Sequence, residues 1–230
     1  MAVQFVEASN EYYYVDDDPW GGAGPTFNFT VAIWHKRDTQ GSANFFTCTP
    51  LNFRKVWQLH NSSTNVMAGL FRNATFNQSP NPSATHTLAS DWTSFVMTVT
   101  SSSVISYWNG TAQTTGSHTD SLVAASRTAI GVLAQTLATA SDMDGQLGDA
   151  CVWVGWVATQ AEVNELLAGK DPRSMGRGSL TNWYPLQGDG PVGTRTRDWG
   201  PQSMHMGSVG GTPTKGEYGA GYARRRTPDG

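Results

Sequence analysis

The stretch from Asp142 to Lys170, DMDGQLGDACVWVGWVATQAEVNELLAGK, limits the folds open to this chain more than any other. Asp144-Gly145 is a turn dipeptide. Ala150 to Val157 is an apolar, aromatic and β-branched run with the length of a well-buried strand. Thr159-Gln160-Ala161-Glu162 follows with the spacing of a capping box: the Thr hydroxyl accepts from the Glu162 N–H, and the Glu carboxylate reaches back to the Thr159 N–H. Val163, Leu166 and Leu167 then recur at helical spacing. Gly169 suits the position just past the helix end, and Asp171-Pro172 stops it. One short helix near 160–168 is predicted, directly after a buried strand.

The remaining chain reads as strands and turns. Residues 3–7 and 11–15 are short strands, broken at Asp16-Asp17-Asp18-Pro19. That Asp run has oxygens suited to calcium, and reads first as a solvated turn. In FNFTVAIWHK, Phe27, Phe29, Val31 and Ile33 share one face, and Asn28, Thr30, Ala32 and Trp34 share the other, as in a central strand. Short strands follow at 44–49, 55–60, 66–71 and 85–88, with a loop over Asn77 to Ser83. Trp92 to Thr100 alternates with Phe95, Met97 and Val99 together. Val104 to Trp108 ends at Asn109-Gly110, a two-residue hairpin signal, because both central residues of a type I′ turn need positive φ. Another strand is placed at 129–133. Ten to twelve strands at this spacing predict an all-β, two-sheet antiparallel sandwich. Ser174 to Ser179 reads as a linker, and Leu180 to Leu186 is apolar enough to dock back.

Composition narrows the function classes. Of 230 residues only 14% are charged, and the formal net charge is −3, which gives no general reason to expect nucleic acid. No apolar run approaches the roughly 20 residues of a membrane helix. The start, MAVQFVEASNEYYY, has no basic n-region and no long apolar segment, so synthesis in the cytoplasm without a secretory leader is expected. Cys48 and Cys151, the two cysteines, are then expected as free, buried thiols. Asn-x-Ser/Thr triplets at Asn28, Asn61, Asn73, Asn77 and Asn109 read as chance in a chain this rich in Asn, Ser and Thr.

Several segments, taken in order, resemble the laminin-G-like, concanavalin A-like lectin/glucanase superfamily. FVEASNEYYYVDDDP resembles its opening, and FNFTVAIWHKR its alternating central strand. DWTSFVMTVTSSSVISYWNGTAQ is similar to its Trp-led hairpin, and DMDGQLGDACVWVGWVATQAEVNELLAG to its closing strand and helix. NWYPLQGDG with RDWGPQSMHMGSVGGTP resembles a segment common beside such domains. Together these span most of residues 1–213. The resemblance implies a concanavalin A-like jelly roll over 1–213, with 180–213 docking back on it and 214–230 left as an extended tail. Two departures bear on an inherited calcium site: Ala150 stands where a second Asp is usual, and Gly155-Trp156 replaces a polar pair.

Glucanases of this fold place paired carboxylates in a Glu-x-Asp-x-Glu spacing on one strand face. The five Glu here (Glu7, Glu11, Glu162, Glu165 and Glu217) show no such spacing, and Glu162 is explained as a helix cap. No Gly-x-Ser-x-Gly elbow, clustered His/Cys pattern or phosphate loop occurs, so a non-enzymatic protein is expected. Calcium is the cofactor the carboxylates allow, at Asp142, Asp144 and Asp149 around the Asp-Gly turn. Sugar binding needs exposed aromatic rings with amides or carboxylates beside them. Trp20, Trp57, Trp108, Trp156 and Trp199 are the candidates. Trp108 with Asn109 at a hairpin tip is the first choice, with Trp20 and Trp57 after it.

The C-terminal KGEYGAGYARRRTPDG combines Tyr218 and Tyr222 with Arg224, Arg225 and Arg226, a set suited to docking on an acidic protein groove. The leading expectation is a structural or decoration protein of a bacteriophage virion, as capsid decoration or head fibre, oligomeric in context. Its tail would hold capsid or fibre subunits, and one face would present a glycan-binding surface. Phage particles carry domains resembling this family, so that step rests on resemblance. The alternative is a soluble carbohydrate-binding lectin module.

Overall fold

The alternating stretch around Val31 is a nine-residue strand at the middle of a sheet, and it organises two cores rather than one. The computed structural model describes residues 2–5, 11–20, 26–38, 43–49, 57–63, 66–72, 78–79, 83–85, 92–113, 115–117, 127–132, 137, 143–186, 195–196, 198–209 and 214–216. In chain order the strands are β1 (Ala2–Phe5), β2 (Tyr12–Val15), β3 (Phe29–Arg37), β4 (Ala43–Thr49), β5 (Trp57–Ser63), β6 (Val66–Arg72), β7 (Gln78–Ser79), β8 (Ser83–Thr85) and β9 (Thr93–Val99). They continue as β10 (Ser103–Trp108), β11 (Thr111–Ala112), β12 (Gly116–Ser117), β13 (Arg127–Ile130) and β14 (Gly145–Val154). The helix α1 (Gln160–Leu167) follows, then β15 (Leu180–Tyr184), β16 (Arg195–Thr196), β17 (Met206–Val209) and β18 (Thr214–Gly216).

These strands make two antiparallel sheets. The first runs β11-β10-β9-β3-β14-β1-β18, with β12 on β10 and β15 on β14. The second runs β16-β17-β2-β13-β4-β5-β6-β7, with β8 on β6. Phe29, Val31 and Ile33 of β3 and Phe95, Met97 and Val99 of β9 face Phe46 and Cys48 of β4 and Trp57 and Leu59 of β5, forming the core between the sheets. The architecture is an antiparallel jelly-roll sandwich with one α-helix among the described residues.

The first sheet is also covered on its other face. Ala32 and Trp34 of β3, Val96 of β9, and Cys151 and Trp153 of β14 cluster with Val163 and Leu166 of α1 and with Met175, Leu180 and Trp183. The two cysteines are free and lie in the two different cores, Cys48 between the sheets and Cys151 under the outer layer. In β14 the register against β3 shifts between Leu147 and Ala150, so Leu147, Ala150 and Val152 all turn into the inner core. One inserted residue flips the side-chain parity, as a β-bulge does.

The helix joins this outer layer through Thr30. The Thr30 hydroxyl donates to the Trp156 carbonyl at 3.0 Å, and the Ala158 N–H donates to the same hydroxyl at 3.0 Å. The Thr159–Glu162 capping box forms in both directions. At the other end Lys170 N–H reaches the Glu165 carbonyl and Gly169 N–H the Leu166 carbonyl, a Schellman closure with Gly169 at φ 100.

Several sequence boundaries move. The closing strand starts at Gly145 rather than Ala150, and the strand expected at 129–133 is Arg127–Ile130. The loop expected over 77–83 contains the short β7, and 85 closes β8 instead of opening a strand. The segment 174–179 is a packed turn with Met175 buried, not a loose linker. Thr214–Gly216, the last described strand, pairs with β1.

Replacing Thr30 by Val keeps the shape and removes the hydroxyl, leaving the buried Ala158 N–H without its acceptor. Urea unfolding is expected to show a loss of about 1–3 kcal/mol. A second expectation concerns alkaline pH. Burial first, and the Glu11 charge second, push the Tyr13 hydroxyl from 10.0 up to about 12. Burial raises Tyr184 in the same direction. The folded state thus favours neutral phenols, a contribution complete below pH 10 and lost as pH rises through about 12. Denaturation midpoints measured across that range are expected to fall, and to fall less steeply in Tyr13→Phe.

Candidate functional site

Strand β15 lies along β14 and carries the outer layer to the edge of the sheet, where the turn Asp198–Met204 packs on it. The turn's sequence, Asp-Trp-Gly-Pro-Gln-Ser-Met, explains its shape. Gly200 lies so close to β15 that a Cβ there would sit 2.3 Å from the Thr181 carbonyl oxygen and 2.7 Å from Asn182 Cα. Trp199 N–H donates to the Trp183 carbonyl at 2.7 Å, and Gln202 N–H to the Thr181 carbonyl. Gln202 Nε2 also donates to the Pro19 carbonyl at 2.6 Å, tying this turn to the 16–20 loop.

The centre of the turn is the Asp198 carboxylate, 2% exposed. Its Oδ1 accepts from the Trp183 and Gly200 N–H groups, both at 2.8 Å. Its Oδ2 accepts from Asn182 Nδ2 at 2.7 Å and from the Met204 N–H at 2.9 Å. A carboxylate has about four lone-pair directions, and all are taken. The Asp198 N–H donates in turn to Nδ1 of His205 at 3.1 Å.

This frame holds Trp199 outward. At 51% it is the exposed large apolar side chain among the described residues. Its ring meets Trp183 edge to face, with centroids 5.6 Å apart. The Trp183 indole N–H donates to Asp149 Oδ1 at 3.2 Å. Arg173 lies over the Trp183 ring, 5.3 Å from its centroid, with its guanidinium bound to both oxygens of Asp171. Beside Trp199 an open depression of about 350 Å³ is lined by Asp198, Trp199, Gly200 and Ser203.

The residues first chosen from the sequence lie elsewhere. Trp20 and Trp57 are core residues, 5.7 Å apart by ring centroid, and Trp57 is fully buried. Neither offers a face to a ligand, which corrects their assignment as sugar platforms. Trp108 is half-buried against His35 at 5.5 Å and Phe95 at 6.4 Å. The Asn109-Gly110 turn does form, with φ 45 and 79. Its tip is covered by α1, because Gln160 Nε2 donates to the Gly110 carbonyl, and the Asn109 side-chain oxygen accepts from the Ser94 N–H. Both residues thus have structural roles in the hairpin, with Trp108 half-buried and Asn109 exposed.

The calcium set also separates. Asp142 lies outside the described residues. Asp144 precedes β14 and Asp149 lies within it, five residues of near-extended chain or roughly 15 Å away, too far for one ion. Among the described residues no group of three or more His, Cys, Asp or Glu side chains comes together to hold a metal. In the Asp run, Asp16 pairs with Arg127, Asp17 Oδ1 accepts from the Asp18 N–H, and Asp18 Oδ1 accepts from the Trp20 N–H. Tyr218, Tyr222, Arg224, Arg225 and Arg226 lie outside the described residues, as do Glu7 and Glu217.

No family model matches the chain, and no curated protein matches its sequence. Solved structures do match its fold. A native heptameric SAP-like pentraxin from Limulus polyphemus superposes with a TM-score of 0.58 at 14% identity, over 75% of this chain and 83% of that one. The CBM40 module of the Ruminococcus gnavus IT-sialidase, solved with α2,3-sialyllactose, gives 0.58 at 11% identity, over 72% of this chain and 95% of that one. These likenesses are of fold, an antiparallel jelly-roll sandwich.

Asp198→Ala leaves four buried or half-buried N–H donors without an acceptor. It is expected to lower stability by at least about 2 kcal/mol in urea unfolding. Tryptophan fluorescence should shift at the same time, as Trp199 leaves its position against Trp183.

Proposed function

We propose that this chain is a carbohydrate-binding module whose ligand stacks on Trp199. The observation that carries the reading is this half-exposed indole, held outward by a turn that cannot fold over it. An indole face matches the C–H face of a sugar ring, and the ring's apolar area supplies the free energy. The exposed Ser203 lines the same depression and offers a hydroxyl to the sugar. A platform fixed before binding loses little conformational freedom when it binds. Two jelly rolls of the same fold, one of them solved with a sialylated sugar, support the reading.

The described glutamates support binding rather than hydrolysis. Glu11 is buried, Glu162 caps α1 and is held below the ordinary carboxylate range by the Thr159 N–H, and Glu165 pairs with Lys170. The expectation of a virion decoration or head-fibre component rested on the C-terminal tail, on the lack of a leader and of a catalytic set in the sequence, and on resemblance. Residues 217–230 lie outside the described ones, and nothing among the described residues favours that reading over glycan binding.

A glycan array followed by calorimetric titration tests the proposal. At least one glycan should bind, and Trp199→Ala should weaken it about tenfold or more, the equivalent of about 1.4 kcal/mol. The variant should stay folded, its unfolding midpoint lowered only by loss of the ring's contact with Trp183. Folded protein that binds nothing on the array, or binds equally well without Trp199, overturns the reading.

A further inference from the structure

We infer that the Trp199 site takes a neutral sugar end and works without a metal ion. This rests on the carbohydrate-binding reading and names its ligand class. The carboxylate in the depression is Asp198, and it faces inward. Its two oxygens accept four N–H groups, from Asn182, Trp183, Gly200 and Met204. A calcium ion needs six to eight oxygen ligands at about 2.3–2.6 Å. To ligate one, Asp198 would have to release the donors that shape the turn, and those N–H groups would then point at a cation. The calcium set expected from the sequence does not fit either, since Asp144 precedes β14, Asp149 lies five residues on within it, and Asp149 holds the Trp183 indole.

The same saturation decides the charge of the ligand. Asp198 has no lone pair left for a sugar hydroxyl, yet its negative charge remains at the floor of the depression. Among the described residues the lining is Asp198, Trp199, Gly200 and Ser203, and none of these four is a cation. Arg173, over the neighbouring Trp183, is bound by Asp171. A ligand carboxylate would enter beside a like charge, whereas a neutral ring brings no charge to be repelled. A depression of about 350 Å³ stands at the small end of ligand sites, which matches the end of a sugar chain rather than a long run of it.

Ligand-observed NMR on the full chain tests this, with lactose, cellobiose, maltose and α2,3-sialyllactose as probes. Each is measured in excess EDTA and again in excess calcium, with Trp199→Ala as the site control. The expected result is a neutral disaccharide bound equally in both buffers, lost in Trp199→Ala, with sialyllactose no stronger than lactose. Binding that appears only with calcium overturns the inference and leaves the carbohydrate reading standing. So does a preference of about tenfold for sialyllactose over lactose. Metal-independent binding that survives Trp199→Ala overturns the placement of the site. No signal from any probe in either buffer overturns the inference and the reading beneath it together.

Discussion

Burial of the first sheet on both faces is the constraint from which the rest of the molecule follows. Strand β14 sends Leu147, Ala150 and Val152 into the space between the sheets and Cys151 and Trp153 to the opposite side. A jelly-roll sheet with an outer face like that needs a cover, since Trp34 and Trp153 together would expose a large apolar patch. The eight residues of α1 are too few to stand alone as a helix in water. They persist because Val163 and Leu166 complete the outer cluster, and because Thr30 ties the lead-in of the helix to the sheet. Sheet and helix each supply what the other lacks.

Double coverage also decides which tryptophans can reach solvent. On an ordinary sandwich strand, alternate residues point to water. Here both parities of β3 and β14 are buried, so a tryptophan on these strands is interior whichever way it points. Trp156 leaves the sheet but tucks over Gly176, where a Cβ would come within 2.9 Å of its ring. Trp199 escapes because it stands on a turn at the edge of the outer layer, beyond the last strand that could cover it.

Local chemistry made much of this legible in the sequence. The Thr159–Glu162 box, Gly169 as the stop and Asn109-Gly110 as the turn each act within a few residues and stand in the structure as read, and the alternation read over 27–36 holds from Phe29, after Asn28 at φ 65. What failed was non-local. Nothing near Asn109 shows that a helix fifty residues later rests on the hairpin tip, so Trp108 looked like a platform. Nothing in GQLG announces that the closing strand begins there, so Asp144 and Asp149 looked like neighbours. Trp199 did carry a signal. It is flanked by Asp, Gly and Pro, outside any alternating pattern, which argues for a turn and against a core strand.

The turn's architecture explains why that indole stays out. Leaving a large apolar side chain half exposed forgoes up to about 1.5–3 kcal/mol that burial would contribute. Collapse onto β15 is blocked in two ways. Gly200 already occupies the available space against Thr181 and Asn182, at distances that admit no side chain. The Asp198 carboxylate holds both ends of the turn at once, taking N–H groups from Gly200 and Met204 on one side and from Asn182 and Trp183 on the other. Moving Trp199 inward would break charge-assisted bonds in a buried setting, each worth roughly 1.5–3 kcal/mol. The exposure of Trp199 is therefore the lower-energy arrangement of this loop, and a surface that meets any ligand finds it already in place.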